Sequence, residues 1–566
     1  MLFRSLARPT RREPISLPSL VLLGVLLLVI GYPLLLLAGM AFNVGDAQAL
    51  VPTQLGFANF VRLLRHLEWV RNTLLVSAAG SVIGTALAVV LAWILYRTSV
   101  PGRALLELLV TIPYPIGPLV GALAWSELAS PRGGLINSLF HALTGSHASL
   151  VNVYSVPGIV FVMALFETPV AFLMIGAAMR RMDPTLEECS AVMGAGRLAT
   201  ALRVTVPLMA PAILSAWLFL FISMMGAFAI PTILGANSRF YVATTAIYML
   251  FEGYPPQYPL AAAVGLVLIV FAAAAVWFYT RALRGKSYAV VGGRTYKPRL
   301  IDMGRWTPVL LAVVYAYILV ALVLPLGTLV IASLQRNSNL TFSAASWTLH
   351  NYRYVLFEFP TTRQAVVNSL LLGVGTGTAG TALAFILAWV IHRSRGSGRF
   401  ALEQLAMLPQ SLPRLIFAAA LLWMILALPL KLYGTLFAVL IAYIIVFLPL
   451  AYRSITGVVV QLDRSLEEAG RVLGGSWLAV MRTITLPLLS PGLLAAWVLL
   501  FMISVREVSA SIFLAGPGAQ VLGPAIFNFW DSGGLPQVSA LVVVQTIIIF
   551  AALIVIRAVS KKGVAL

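Results

Sequence analysis

The chain consists of long apolar runs separated by short polar connections. Each run holds about 20 apolar residues, the length that an α-helix needs to cross the hydrocarbon core of a membrane. The pattern therefore predicts an all-α polytopic membrane protein. We predict twelve membrane-spanning helices, at residues 17–40, 72–96, 104–128, 153–179, 208–235, 259–280, 307–334, 368–391, 400–427, 432–452, 488–515 and 536–556.

Basic residues are concentrated in every second connection. With the N-terminus on the cytoplasmic side, the inner segments carry 27 of the 38 Lys and Arg residues and the outer segments carry 9. This asymmetry is typical of bacterial inner-membrane proteins and predicts that both termini lie in the cytoplasm. The first apolar run is longer than the core of a cleaved signal peptide, so we expect it to remain as a span. The net charge of +20 thus reflects topology in membrane lipid, and we expect no nucleic-acid partner.

The second half of the sequence repeats the first. Asp183–Phe221 aligns without a gap with Asp463–Phe501 at an offset of 280, and 17 of the 39 positions are identical. An earlier block repeats at an offset of 296. Because each half has an even number of spans, the halves have the same orientation and form a parallel repeat of two six-helix units. The predicted division is a first half at residues 1–280, a cytoplasmic linker at 281–306 and a second half at 307–566.

Both copies of the gap-free repeat fall on the predicted cytoplasmic side. In the second copy, Leu466–Val472 predicts a short helix that ends at Gly474. Glu467 and Gly474 are seven residues apart, about two turns, so they lie on one helix face. Pro487 then stands near the start of the next span, where proline is tolerated. A small helix attached rigidly to a membrane helix can act as a lever with a docking face. The alternative is a solvated loop helix, but two copies in register favour the lever.

The order of glutamate, glycine and a following Val-Pro or Leu-Pro resembles the EAA loop of binding-protein-dependent ABC importer permeases. The Glu-Ala-Ala of that family is replaced here by Glu188-Cys189-Ser190 and Glu468-Ala469-Gly470. The resemblance covers nearly the whole chain and implies the type I importer permease fold. It also implies that two copies of a separate ABC ATPase subunit dock on coupling helices at 186–194 and 466–474. The residues that it implicates in coupling are Glu187, Glu188, Gly194, Pro207, Glu467, Glu468, Gly474 and Pro487.

The same resemblance implies that this chain is not an enzyme and binds no cofactor, because ATP and Mg²⁺ would be held by the partner ATPase. The sequence Gly285-Lys286-Ser287 does not complete a P-loop, since Thr280 stands where that loop needs glycine. The histidines show no metal-ligand spacing and Cys189 is the only cysteine, so we expect no metal site and no intrachain disulfide. A polytopic membrane enzyme and a secondary transporter are the alternative classes, and neither explains two cytoplasmic helices in register.

Four charged residues stand out inside predicted spans: Glu167, Arg414, Arg506 and Glu507. Charges in the bilayer are costly and therefore indicate function by default. We expect these residues to line the substrate path, and two arginines would suit an anionic ligand. The alternative is an internal ion-pair network that orders the helices.

The cargo is indicated by a second resemblance. The fused two-half organisation, the sequence MRRMDPTLEE, the basic linker and the R-E-V-x-A-S stretch most resemble the permeases of ferric-iron transport systems. That resemblance implies a small solute, with ferric iron as the expected cargo, delivered by a periplasmic or lipid-anchored solute-binding protein. Related fused permeases carry phosphonates, sugar phosphates, thiamine or polyamines, and these cargoes stay open.

Overall fold

The computed structural model describes residues 17–49, 51–146, 148–183, 185–283, 300–337, 346–393, 398–429 and 431–563. Most of the predicted linker, including Gly285-Lys286-Ser287, lies outside the described residues.

The described residues form helices, and strand pairing among them is limited to three isolated bridges. The helices of the first sequence half are α1 Leu17–Ala41, α2 Ala58–Arg97, α3 Arg103–Ile116, α4 Pro118–Ala129, α5 Leu135–Thr144, α6 Val156–Arg180, α7 Thr185–Val192, α8 Ala201–Met225, α9 Ala229–Ala236, α10 Ala243–Glu252 and α11 Tyr258–Arg281. Those of the second half are α12 Gly304–Ser333, α13 Pro360–Arg393, α14 Arg399–Ser411, α15 Arg414–Ala427, α16 Leu436–Val459, α17 Arg464–Val472, α18 Trp477–Val505, α19 Leu522–Asp531 and α20 Leu535–Val555.

Within the described residues, 10 helices are long and apolar enough to cross a membrane, and the number is 12 if two bent pairs each count as one span. The predicted all-α membrane fold is confirmed. The helices predicted at 104–128 and 400–427 are each broken in two: α3 and α4 meet at 96°, and α14 and α15 meet at 113°. Gly117 has φ 101° before Pro118, and Leu412 is extended before Pro413. Proline lacks an amide hydrogen and disfavours helical geometry in the residue before it, so each helix breaks there.

Two further predicted spans extend beyond the observed helices. The span predicted at 208–235 ends as α8 at Met225, and α9 follows as a separate short helix. The span predicted at 488–515 ends as α18 at Val505. Residues that we had placed deep inside a helix therefore lie in turns just beyond its end, and this changes the surroundings of two of the predicted intramembrane charges.

Packing groups the described residues into two compact units. One combines residues of Met1–Leu37, Val367–Ala519 and Phe550–Leu566, and the other combines Ala38–Val366 with Gln520–Ile549. Within the first unit α1 packs on α14, and within the second α12 packs on α3 and α4. The leading helix of each sequence half thus packs with the bent pair of the other half. The predicted sequence boundaries of the halves stay a prediction.

The core of each unit repeats the same close approach. In one unit α2 packs on α6 and α8, and in the other α13 packs on α16 and α18. A Cβ at Gly84 would lie 3.0 Å from the side chain of Leu220, and one at Gly380 would lie 3.0 Å from that of Leu500. Small residues let membrane helices approach closely. The internal repeat is therefore present in the packing as well as in the sequence.

Four of the long helices contain a π-helical turn directly before an X-Pro pair. Proline has no N–H, and its ring clashes with the carbonyl four residues back, so a wider turn relieves the strain at that point. The turns and their prolines are Leu27–Gly31 with Pro33, Ala201–Thr205 with Pro207, Leu319–Val323 with Pro325, and Met481–Thr485 with Pro487. The second and fourth of these lie near the starts of α8 and α18, the helices that follow the predicted coupling helices.

Candidate functional site

The two predicted coupling helices form as the sequence indicates. The backbone N–H of Thr185 donates to Asp183 at 2.9 Å at the start of α7, and that of Ser465 donates to Asp463 at 3.0 Å at the start of α17. This capping bond lowers the pKa of the Asp463 carboxyl. The same residue type therefore fixes the first turn in both sequence halves.

Both helices end at a left-handed glycine. Gly194 has φ 82° and Gly474 has φ 85°, a conformation that glycine adopts without steric cost. The N–H of the following residue then bonds back into the helix: Ala195 donates to the carbonyl of Ser190 at 3.1 Å, and Gly475 donates to that of Gly470 at 3.0 Å. This is the 6→1 bond of a Schellman motif. It turns the chain sharply toward the next membrane helix.

The first glutamate of each motif faces the permease body. Nη1 of Arg97 lies 3.7 Å from a carboxylate oxygen of Glu187, and their side chains are 1% and 9% exposed. The hydroxyl of Thr205 donates to the other oxygen of Glu187 at 2.5 Å. In the second half, Nη2 of Arg393 lies 3.1 Å from Glu467. Each pair ties a coupling helix to the last residue of α2 or α13. Because these acids point inward, they position the helix and do not form its outer face.

The outer faces carry the second glutamate, Glu188 or Glu468, which is exposed in both copies. They also carry a pair of apolar side chains just before the glycine, Val192 with Met193 and Val472 with Leu473. These four side chains are between 86% and 89% exposed. Large apolar groups held so far into solvent indicate a surface for another protein. These apolar pairs are not among the residues predicted from the sequence, although two apolar residues directly before a helix-ending glycine are a signal that the sequence contains.

The link from coupling helix to membrane helix is continuous. Thr205, which bonds Glu187, is the last residue of the π turn Ala201–Thr205, and Pro207 lies in the first α-helical turn after it. Pro487 has the same place after Met481–Thr485. Displacement of a coupling helix would therefore act directly on the first turns of α8 or α18. Both helices continue through their second prolines, Pro211 and Pro491.

Two of the predicted intramembrane charges form an ion pair. Nη1 of Arg414 lies 3.1 Å from a carboxylate oxygen of Glu507, whose side chain is 4% exposed, while that of Arg414 is 44% exposed. The other oxygen of Glu507 accepts the backbone N–H of Ala510 at 3.1 Å. Both were predicted inside spans, and both lie at helix ends: Arg414 opens α15 after the break, and Glu507 follows α18. The Arg414–Glu507 ion pair therefore lies at the break between α14 and α15.

The remaining two charges lie elsewhere. Arg506 is the buried C-terminal capping residue of α18. Glu167 lies within α6, as predicted, and accepts the hydroxyl of Ser223 at 3.3 Å in the other unit. The repeat position of Glu167 is occupied by Phe447, and the guanidinium of Arg414 lies 5.8 Å from the centre of that ring. The two sequence halves therefore place different charges at matching positions.

An aromatic cluster joins equivalent helices of the two halves within one unit. The ring of Phe527 in α19 lies 5.4 Å from that of Phe228 and 5.5 Å from that of Tyr248 in α10. Burial raises the pKa of Tyr248 to about 12, and the nearby carboxylates of Glu252 and Asp531 add to the shift. Two acids from matching helix ends thus both act on Tyr248 in this cluster, on the predicted outer side. No periodicity along the chain predicts this arrangement.

Comparisons with known proteins identify relatives of both sequence halves. The family model described as binding-protein-dependent transport system inner membrane component matches residues 80–287 and 380–562, once in each sequence half. A ferric transport system permease protein of Actinobacillus pleuropneumoniae is 27% identical over 86% of this chain and 70% of its own length. A putative ferric transport system permease protein of Haemophilus influenzae is 28% identical over 88% of this chain and 78% of its own length.

Polyamine permeases are similar over a shorter range. A spermidine/putrescine transport system permease protein of Haemophilus influenzae is 26% identical over 44% of this chain and 95% of its own length. The crystal structure of a bacterial ABC transporter involved in the import of the acidic polysaccharide alginate matches with a TM-score of 0.40 at 22% identity, over 48% of this chain and 94% of that one. The family matches cover both repeats, and the chain therefore belongs to the binding-protein-dependent transport system inner membrane components, as an ABC importer permease most like the ferric-iron type.

Proposed function

We propose that this chain is the membrane-spanning subunit of an ATP-driven importer for ferric iron. The identification of ferric iron as the cargo rests on the similarity to two ferric transport permeases over 86% and 88% of the chain. The carboxylates of Glu252 and Asp531, which both act on Tyr248 on the predicted outer side, support a cationic solute over an anionic one.

The proposed engine is a separate ABC ATPase, present in two copies, that docks on α7 and α17. The exposed pairs Val192-Met193 and Val472-Leu473 would enter grooves of those subunits, with Glu188 and Glu468 beside them. ATP and Mg²⁺ would be bound by the ATPase. Closure of the ATPase dimer on ATP would move the coupling helices together. The bond between Thr205 and Glu187, and the π turns near the starts of α8 and α18, would pass that motion into those two helices. The membrane subunit would then open toward an extracytoplasmic binding protein that delivers the cargo.

The two glutamates that pair with arginines have a defined role in this proposal. Glu187 and Glu467 hold each coupling helix on the end of α2 or α13. A lever transmits force only if its attachment is stiff, and a buried ion pair is lost at high cost when one partner is removed. Gly194 and Gly474 set the turn, and Pro207 and Pro487 set the start of the driven helix.

The test is uptake of radiolabelled ferric iron by iron-limited cells with and without the gene. We expect loss of uptake in the deletion strain, recovery with the wild-type gene, and no recovery with a Val192→Asp/Val472→Asp variant. Radiolabelled spermidine serves as the second arm, because polyamine permeases match one half of the chain. Unchanged iron uptake with lost spermidine uptake would move the cargo assignment to polyamines, and unchanged uptake of both would overturn the cation proposal.

A further inference from the structure

A cavity of about 620 Å³ lies beside the second coupling helix, wholly within one compact unit. Its walls come from α1, α13, α17 and α18. The lining side chains change from apolar to cationic along the cavity. Phe385, Trp389 and Arg393 are spaced four residues apart on α13 and so form one stripe that runs from apolar to cationic. The guanidinium of Arg393 lies 5.5 Å from the centre of the Trp389 ring.

The cationic end is completed by α17. Arg464 and Arg471 both line the cavity and are seven residues apart, about two turns, so they lie on one face of that helix. Among the described residues, neither has a carboxylate within 4.0 Å of its guanidinium nitrogens, although the carbonyl of His392 accepts from Arg464 at 2.7 Å. Glu467 and Glu468 also line the cavity, and Glu467 is already paired with Arg393. The balance of charge there is positive.

Arg393 supplies a second, independent observation. Its side chain is 10% exposed, and its Nη2 donates to the carbonyl of Leu462 at 2.7 Å. Its Nε is buried and has no hydrogen-bond partner among the described residues. A buried donor without an acceptor costs free energy, and an oxygen of a bound ligand would satisfy this donor.

We propose that this cavity binds an anionic phospholipid from the leaflet on the predicted cytoplasmic side. The phosphate would lie among Arg393, Arg464 and Arg471, and the glycerol and first acyl carbons would lie along Phe385 and Trp389. Basic pockets between membrane helices on that side recognise lipid headgroups, and tryptophan is enriched at the level of the headgroups. A ligand with an acyl chain fits the apolar stripe, which a free anion would leave unfilled.

The first sequence half does not repeat this site. The positions that match Phe385, Arg471 and Trp477 are Val89, Ala191 and Arg197. The proposal therefore assigns one lipid to each chain, at the second coupling helix. A lipid that contacts both α13 and α17 would add to the Arg393–Glu467 attachment. Its binding is measured without transport or cargo, so it stands apart from the proposed function.

The experiment uses the full chain in nanodiscs of phosphatidylcholine with a minority of phosphatidylglycerol, with retained lipid measured by native mass spectrometry after release. Wild type should retain phosphatidylglycerol over phosphatidylcholine. Because each basic residue near an anionic surface contributes about 1 kcal/mol, Arg464→Gln/Arg471→Gln should lower that retention about tenfold or more. The charge-conserving Arg464→Lys/Arg471→Lys should retain the lipid. Arg482→Gln is the matched control, since Arg482 is exposed in the same region and lies outside the lining.

Trp477 in α18 also lines the cavity. If the double variant does not fold, Trp477→Ala keeps every arginine and tests the apolar part of the lining, and it should weaken retention of the lipid. Equal retention of both lipids by wild type would overturn the proposal, as would unchanged retention in Arg464→Gln/Arg471→Gln and Trp477→Ala. Displacement of the lipid by inorganic phosphate alone would assign the cavity to a free anion and overturn the lipid. Release of the lipid when purified ATPase is added would show that a side chain of the ATPase occupies the cavity, and this would also overturn the lipid proposal.

Discussion

The guanidinium of Arg97 and the carboxylate of Glu187 lie 3.7 Å apart where the end of α2 meets α7, with side chains that are 1% and 9% exposed. All three guanidinium nitrogens of Arg97 are buried without a hydrogen-bond partner among the described residues. Glu187 is therefore the charge that compensates Arg97. In the second half, Arg393 also donates to the carbonyls of Val459 and Leu462, so Glu467 carries a smaller share of the compensation.

This difference predicts unequal costs for matching mutations. Glu187→Ala leaves a buried cation uncompensated and should lower the free energy of unfolding by about 3–5 kcal/mol. Glu467→Ala should lower the free energy of unfolding by clearly less, because Arg393 keeps its two carbonyl acceptors. The measurement is chemical or thermal unfolding of the two purified variants in the same detergent.

A double substitution separates the ion pair from the packing. Arg97→Met with Glu187→Leu removes both charges and keeps most of the volume, so it should recover most of the stability lost in Glu187→Ala. Equal losses in Glu187→Ala and Glu467→Ala would contradict the assignment of Glu187 as the main compensating charge.

The exposed apolar pairs predict a phenotype without a folding defect. Val192→Asp/Met193→Asp or Val472→Asp/Leu473→Asp should reduce co-purification of the partner ATPase about tenfold or more, because a charge would be buried in a protein interface. The free energy of unfolding should be unchanged, since these side chains are already exposed to solvent. Leu143→Asp is the control: Leu143 is 77% exposed in α5, on the predicted outer side. Normal ATPase binding by both coupling variants would remove the docking role from these surfaces.

Hydropathy predicted the helical class and the repeat predicted both coupling helices, because each of these features is carried by local sequence. The breaks at Gly117 and Leu412 were missed because the residues on both sides are apolar, and a hydropathy window averages over a backbone bend. The Gly117-Pro118 pair was the available signal. The inward direction of Glu187 was not predictable from spacing, since spacing shows which residues share a face and not what that face packs against.

The cap of α17 predicts a dependence on pH. The bond from Ser465 lowers the pKa of Asp463 in the folded protein, so its contribution to stability is present above the unfolded pKa, about 3.9, and is lost as the pH falls through the lower folded value. Hydrogen exchange of the amides of α17 should accelerate, relative to the intrinsic rate, below about pH 4. Asp463→Asn keeps an acceptor at the cap and should remove that dependence. The same acceleration in Asp463→Asn would assign it to another group.

The charges near the helix breaks give the last prediction. Arg506→Ala should reduce iron uptake about tenfold or more while leaving insertion and ATPase binding intact, if Arg506 faces the substrate path, and Arg506→Lys should restore part of it. Arg414→Ala leaves the 4% exposed Glu507 without its cation, so it should destabilise the protein as well. Arg414→Ala/Glu507→Ala removes both charges and separates the two roles. Normal uptake by that double variant would show that the pair only orders the bend between α14 and α15, whereas poor uptake with recovered stability would place the pair on the path of the cargo.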